Sequence, residues 1–356
     1  MAHANGTGVL TRRKVLGGLV SAGASVAVLS HSGAQDSNSA PEGPRPIDIE
    51  ARLISHFLRS NPNERRFGAL EFRGGLVLTS SSRDFGGWSG LVMDAGGRSL
   101  LSVSDAGSWL TADLAYEGER PVRLTDARIG PLLALGGAPL RDKREQDAEA
   151  IALVDGTLAR GTLLVGFERA HRIGRFELRS RELRAPSGYM TFPREALRMQ
   201  PNQGIEALAV LQAGPLRGSV VAFAERFTRG SGNHAGWIWV RGEPHRIHLQ
   251  DIDGFNITDA AGLPDGGLLI LERYFRWTSG VKMRIRRLAP AEIVPGARMT
   301  GRTLLEADSG YEIDNMEGMA VHRDARGETV MSLISDDNFS NFLQRTVFLQ
   351  FTLLSE

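Results

Sequence analysis

Glu149-Ala150-Ile151-Ala152-Leu153, Glu206-Ala207-Leu208-Ala209-Val210 and Glu317-Gly318-Met319-Ala320-Val321 are three copies of one pattern, a carboxylate followed by small and apolar residues. Ser89-Gly90-Leu91-Val92-Met93 and Asp259-Ala260-Ala261-Gly262-Leu263 are looser copies, and the five openings fall 60, 57, 53 and 58 residues apart. Each copy runs into turn residues, such as Ala95-Gly96-Gly97, Asp155-Gly156 and Asp265-Gly266-Gly267, and then into a second apolar run that ends in an acid. Those acids are Asp105, Glu168, Glu225, Glu272 and Asp336. A third, more amphipathic run follows in most copies, as in Ile173 to Leu178 and Met283 to Leu288. Short apolar runs punctuated by glycine turns read as strands, and a repeat of this length made of three or four strands is the signature of propeller blades.

The expected fold class is therefore all-β, a single β-propeller. Strand-like Ala69-Leu70-Glu71-Phe72 and Leu76-Val77-Leu78 precede the first copy. They are placed to pair with the carboxy-terminal Thr346 to Leu353, because a ring must protect its edge strands. With this extra pair the chain is expected to form six blades, with five as the alternative. Trp237, Trp239 and Trp277 are expected to pack between blades.

Composition narrows the chemistry. The 356 residues include 42 Gly, 15 Pro and no Cys, so disulfides, Cys-based zinc sites and thiol nucleophiles are excluded. There is no Gly-x-Ser-x-Gly elbow and no His-Glu-x-x-His helix, and the histidines are scattered. Near the amino terminus, Thr11-Arg12-Arg13-Lys14-Val15-Leu16-Gly17 sets a twin arginine before a modestly apolar run ending at Leu29. Small residues at Ser32-Gly33-Ala34 then suit cleavage. Residues 1–34 read as a twin-arginine signal peptide, 35–62 as a linker and lead-in segment, and 63–356 as the propeller domain. The expected product is periplasmic or secreted, monomeric and free of a membrane anchor, having met the twin-arginine translocase during export. Removing residues 1–34 takes away three basic and no acidic residues, so the formal charge moves from +1 to −2. That balance gives no electrostatic case for nucleic acid.

The acids are the chemical signal. In a hairpin, the start of the first strand and the end of the second lie at the same end. Glu149 with Glu168, Glu206 with Glu225 and Glu317 with Asp336 are each 19 residues apart, and Asp259 with Glu272 is a shorter version. Rotated about a propeller axis, these residues and Asp105 converge on one rim beside Ser89. Like charges so gathered raise each other's pKa unless compensated. A hard cation such as Ca²⁺, which takes six to eight oxygen ligands, is one compensation. The other is pairing with Arg169, Arg226 and Arg273, each of which directly follows a strand-end Glu.

The Glu-(Ala/Gly)-apolar-Ala-apolar openings, the run from Leu263 to Arg273 and Asn315-Met316-Glu317-Gly318-Met319-Ala320 resemble the phytase-like, or "esterase-like activity of phytase", family of exported bacterial proteins. The resemblance covers about Phe67 to Leu354 and implies a propeller akin to the calcium-dependent propeller phytases. It also implies hydrolysis of phosphate or carboxylic esters, with a small anionic or ester substrate held by the three arginines. The chain has fewer clustered Asp and Lys residues than a propeller phytase, which leaves phytate itself unassigned. A non-enzymatic propeller that binds a ligand or a periplasmic partner is the competing expectation.

Overall fold

The computed structural model describes residues 43–199, 203–225, 232–278, 280–340 and 344–354. The signal segment expected over residues 1–34, and Arg226, lie outside the described residues. Five sheets, antiparallel except for the short edge strand Arg298–Met299 that pairs parallel in the third, are arranged so that the first long strand of each is innermost. These inner strands are Trp88–Met93, Ala148–Gly156, Ile205–Val210, Asn256–Gly262 and Asn315–Arg323. Each packs on the next, and Asn315–Arg323 packs back on Trp88–Met93, so the ring closes. The fold is a five-bladed β-propeller.

Blade one runs outward through Ser99–Ser104, Ser108–Glu117 and Arg120–Pro131 to Arg45–Pro46. Blade two is the simplest, with Arg160–Phe167, Arg172–Arg179 and Glu182–Tyr189 outside its inner strand. Blades three and four follow the same meander, edged by Arg298–Met299 and Arg302–Ala307. Blade five combines early strands of the chain with the carboxy-terminal one. Its order from the axis is Asn315–Arg323, Thr329–Asp336, Thr346–Leu353, Leu70–Thr79 and Glu50–Ile54.

The pairing of Leu70–Thr79 with Thr346–Leu353 is the one expected, from Leu70↔Leu353 to Leu78↔Thr346. It completes the fifth blade instead of founding a sixth. Thr346–Leu353 also pairs with Thr329–Asp336, so the amino-terminal strand is the fourth in an existing sheet. The carboxy-terminal strand is thereby held on both sides, which leaves no open seam where the ring is joined.

The core lies between blades. Each of the five buried apolar clusters draws on two neighbouring sheets. Trp109, Leu163 and Phe167 join blades one and two, and Ile205, Trp237 and Trp239 join blades two and three. Phe72, Leu271 and Met319 belong to the cluster joining blades four and five. Inner strands are buried on both faces and so read as continuous apolar runs. Each fully buried Leu, Ile or Phe contributes about 1.5–3 kcal/mol. Trp237 and Trp239 pack between blades as expected, but Trp277 does not. It sits at the hairpin tip between the second and third strands of blade four and is 94% exposed.

Candidate functional site

Side chains of an innermost propeller strand alternate toward the two neighbouring blades, so the strand turns its backbone edge to the axis. A β-bulge is the device that re-aims one side chain. Every inner strand has one at the same end. Trp88 pairs Ser104 and Gly90 pairs Val103, leaving Ser89 unmatched. Likewise Glu149 falls between Ala148 and Ala150, Glu206 between Ile205 and Ala207, Thr258 between Ile257 and Asp259, and Glu317 between Met316 and Gly318. The ring of bulged residues is thus Ser89, Glu149, Glu206, Thr258 and Glu317.

Two further positions per blade flank the bulge. The residue two before it faces the end of the second strand, giving Gly87 with Asp105, Asp147 with Glu168, and Gly204 with Glu225. In blades four and five the same pairs are Asn256 with Arg273 and Asn315 with Asp336. Glycine stands where the chain comes too close for a side chain. A Cβ at Gly87 would lie 2.3 Å from the Asp105 carboxylate, and one at Gly204 would lie 2.5 Å from the Glu168 carbonyl oxygen.

This register corrects two of the expected rim acids. In blade four the bulge falls on Thr258, one residue before Asp259, and a one-residue slip sends a side chain to the other face. The Asp259 carboxylate is fully buried, where it accepts the amides of Ala260 at 2.8 Å and Met319 at 2.7 Å and bonds to the backbone of Leu208. It therefore ties the inner strands of blades three, four and five. Glu272 pairs with Ile257 inside the blade and is buried against Arg286, whose Nε donates to it at 2.8 Å. Arg273 occupies the place that an acid holds in the other blades. Its Nε lies 3.1 Å from Glu317, and its NH1 donates to Asn315 Oδ1 at 2.7 Å.

The remaining expected residues do converge. Asp105, Glu149, Glu168, Glu206, Glu225, Glu317 and Asp336 line one cavity of about 300 Å³ together with Arg169 and Arg273. The sequence reading missed Asp147, Lys143, Asn315 and Asn338, which line it too. Asp147 was legible in principle, because it sits two residues before Glu149 on the same strand. Lys143 comes from a single helical turn, Lys143–Gln146, laid beside the mouth, and no repeat announces it. Its ammonium bridges Asp105 and Asp147. Arg169, about half exposed, reaches Asp147 at 2.8 Å.

Among the described residues, eight carboxylates thus face three cations, a formal excess of five negative charges. Burial first, then neighbouring acids, holds Glu149 and Glu206 well above the usual carboxylate range. Burial raises Glu168 and Glu317 to about 7 and Asp336 to about 8. The neighbouring charges of Asp147 and Glu225 reinforce the rise at Glu168, since like charges disfavour ionisation. One oxygen each from Asp147, Glu149 and Glu168 lie within 4.8 Å of one another, as do one each from Glu168, Glu206 and Glu225. An all-oxygen, anionic donor set of this density fits a hard divalent cation.

The family model described as "Phytase-like: Esterase-like activity of phytase" matches residues 83–339. A search of the curated proteins finds no match.

Proposed function

The chain belongs to the phytase-like family, and from that premise we propose that it is an exported, Ca²⁺-dependent hydrolase of phosphate or carboxylic esters. The observation that carries this reading is the excess of carboxylates around one open cavity at the channel mouth, two trios of which bring one oxygen each within 4.8 Å of one another. Glu149, Glu206 and Glu317, re-aimed by their bulges, would hold the cation with Asp147, Glu168 and Glu225, beside the Ser89 hydroxyl. A bound cation supplies Lewis-acid polarisation of a phosphoryl or acyl oxygen and lowers the pKa of bound water. Arg169, half exposed at the rim, is placed to orient an anionic substrate group by charge-assisted hydrogen bonds. Arg273 opposes the rise that burial imposes on Glu317, since an adjacent cation favours the charged form. The raised carboxyl of Asp336, outside that ligand set, is suited to hold a proton near neutral pH.

The test is hydrolysis of 4-nitrophenyl phosphate and 4-nitrophenyl acetate by the full chain in EDTA and in millimolar Ca²⁺. Turnover that needs Ca²⁺ and falls at least about 100-fold in a Glu206→Gln, Glu317→Gln variant is the expected result. Ca²⁺ binding without turnover of either ester would favour the binding propeller instead. Export rests on Arg12-Arg13 before the apolar run. Replacing both with Lys should retain precursor in the cytoplasm, and undiminished delivery to the periplasm would refute it.

A further inference from the structure

Blade four departs from its neighbours above the rim as well as at it. Blade one turns as soon as it reaches its rim acid, with Asp105 to Gly107 linking Ser99–Ser104 to Ser108–Glu117. Blade two does the same between Phe167 and Arg172. In blade four the ladder continues outward past Arg273↔Met283 through Tyr274↔Lys282, Phe275↔Val281 and Arg276↔Gly280. Three extra pairs lift the hairpin roughly 10 Å beyond the rim residue.

Strand alternation assigns its faces. Phe275 is two residues from Arg273 and so shares its side of the ribbon, the side on which Arg273 reaches blade five. Tyr274 points the other way and packs on Phe255 at 5.3 Å between ring centroids. Phe275 is 50% exposed, and Trp277 stands edge-on to it with centroids 5.7 Å apart. A lone exposed aromatic residue carries no message. Here two adjacent rings stand on a strand extended beyond Arg273, which itself lines the acidic cavity. The hairpin is also cationic, with Arg276 and Lys282 over the Tyr274 ring at 5.2 and 6.0 Å.

We propose that this hairpin is the specificity element of the site, and that it selects anionic esters whose leaving group is a planar aromatic ring. The inference rests on the hydrolase reading above. The anion sits at Arg273 and the rim, and the ring stacks on Phe275 and Trp277. Two residues of strand place Phe275 about 7 Å beyond Arg273, which suits an aryl phosphate reaching from its phosphoryl oxygens to its ring.

Trp277 is its own probe, because Trp88, Trp109, Trp237 and Trp239 are all buried. The full chain in millimolar Ca²⁺ is titrated with phenyl phosphate, glucose 6-phosphate and inorganic phosphate, following affinity by calorimetry and acrylamide quenching of tryptophan emission. Phenyl phosphate is expected to bind tightest and to shield Trp277, while the other two leave it quenchable. Trp277→Ala identifies the signal, and Phe275→Ala should weaken phenyl phosphate about tenfold without changing inorganic phosphate. Equal binding of the three anions, or unaltered quenching, overturns the aromatic preference alone. If none of the three binds, the hydrolase reading falls with it.

Discussion

At the scale of single residues, the informative comparison is Thr258 with Asp259. The repeat in the sequence points to Asp259, because a carboxylate followed by Ala-Ala looks like Glu149-Ala-Ile and Glu206-Ala-Leu. The bulge sits one residue earlier, and neither apolar pattern nor spacing encodes a bulge when the intervening turn is shortened. Arg273 was legible as a cation beside the rim, but its occupation of an acid's position depends on the same register. His322 shows the opposite case, a residue with no motif whose environment alone gives it a role. It lines the far mouth of the channel, a larger cavity of about 740 Å³. Burial, reinforced by the charge of Arg73, lowers its pKa from 6.5 to about 4. A histidine depressed in the folded state is protonated more readily when unfolded. It contributes stability above pH 6.5 and loses that contribution as pH falls toward 4. The shift corresponds to about 3 kcal/mol at most. Denaturant unfolding at pH 7 and pH 4.5 should therefore show a smaller acid loss in His322→Gln than in the parent, and equal losses would remove His322 from the account.

At the scale of elements, chain direction alone decides which ends of a hairpin meet. Strand starts and ends meet at one rim whichever turn joins them, which is why Glu149 with Glu168, Glu206 with Glu225 and Glu317 with Asp336 all reach the cavity. What the sequence could not express is how a strand edge becomes a ring of side chains. That requires five bulges in register, and these are backbone events shared by residues as different as Ser89 and Glu206. The tie formed by Asp259 is equally silent in sequence, since its partners are the amides of other blades. The extended hairpin of blade four was the clearest miss. A tryptophan in a β-rich chain is ordinarily a packing residue, and only the ladder beyond Arg273 reveals that Trp277 stands exposed beside Phe275.

At the scale of the whole molecule, closure sets both the blade count and the chemistry. The amino-terminal strand Leu70–Thr79 was read correctly as the partner of Thr346–Leu353, yet blade number depends on which sheet that pair joins, and pairing preference is the same in either. Joining blade five makes a narrow ring, so rim positions from every blade face one another across a single cavity. Eight carboxylates there are a standing cost to the folded state unless something cationic or acidic neutralises them. A ligand that binds only the folded chain stabilises it by about 2.7 kcal/mol at a hundredfold excess over its dissociation constant. For a domain of this size that is a rise of about 4 °C in Tm. The decisive measurement is thermal unfolding of the full chain in EDTA and in millimolar Ca²⁺, beside the Glu206→Gln, Glu317→Gln variant and Asp259→Asn. The account predicts a Ca²⁺-dependent rise in the parent, its loss in the rim variant, and its retention in Asp259→Asn, which should melt lower under both conditions because it breaks an inter-blade tie. A parent chain that melts at one temperature with and without Ca²⁺ would contradict the claim that this rim is a cation site.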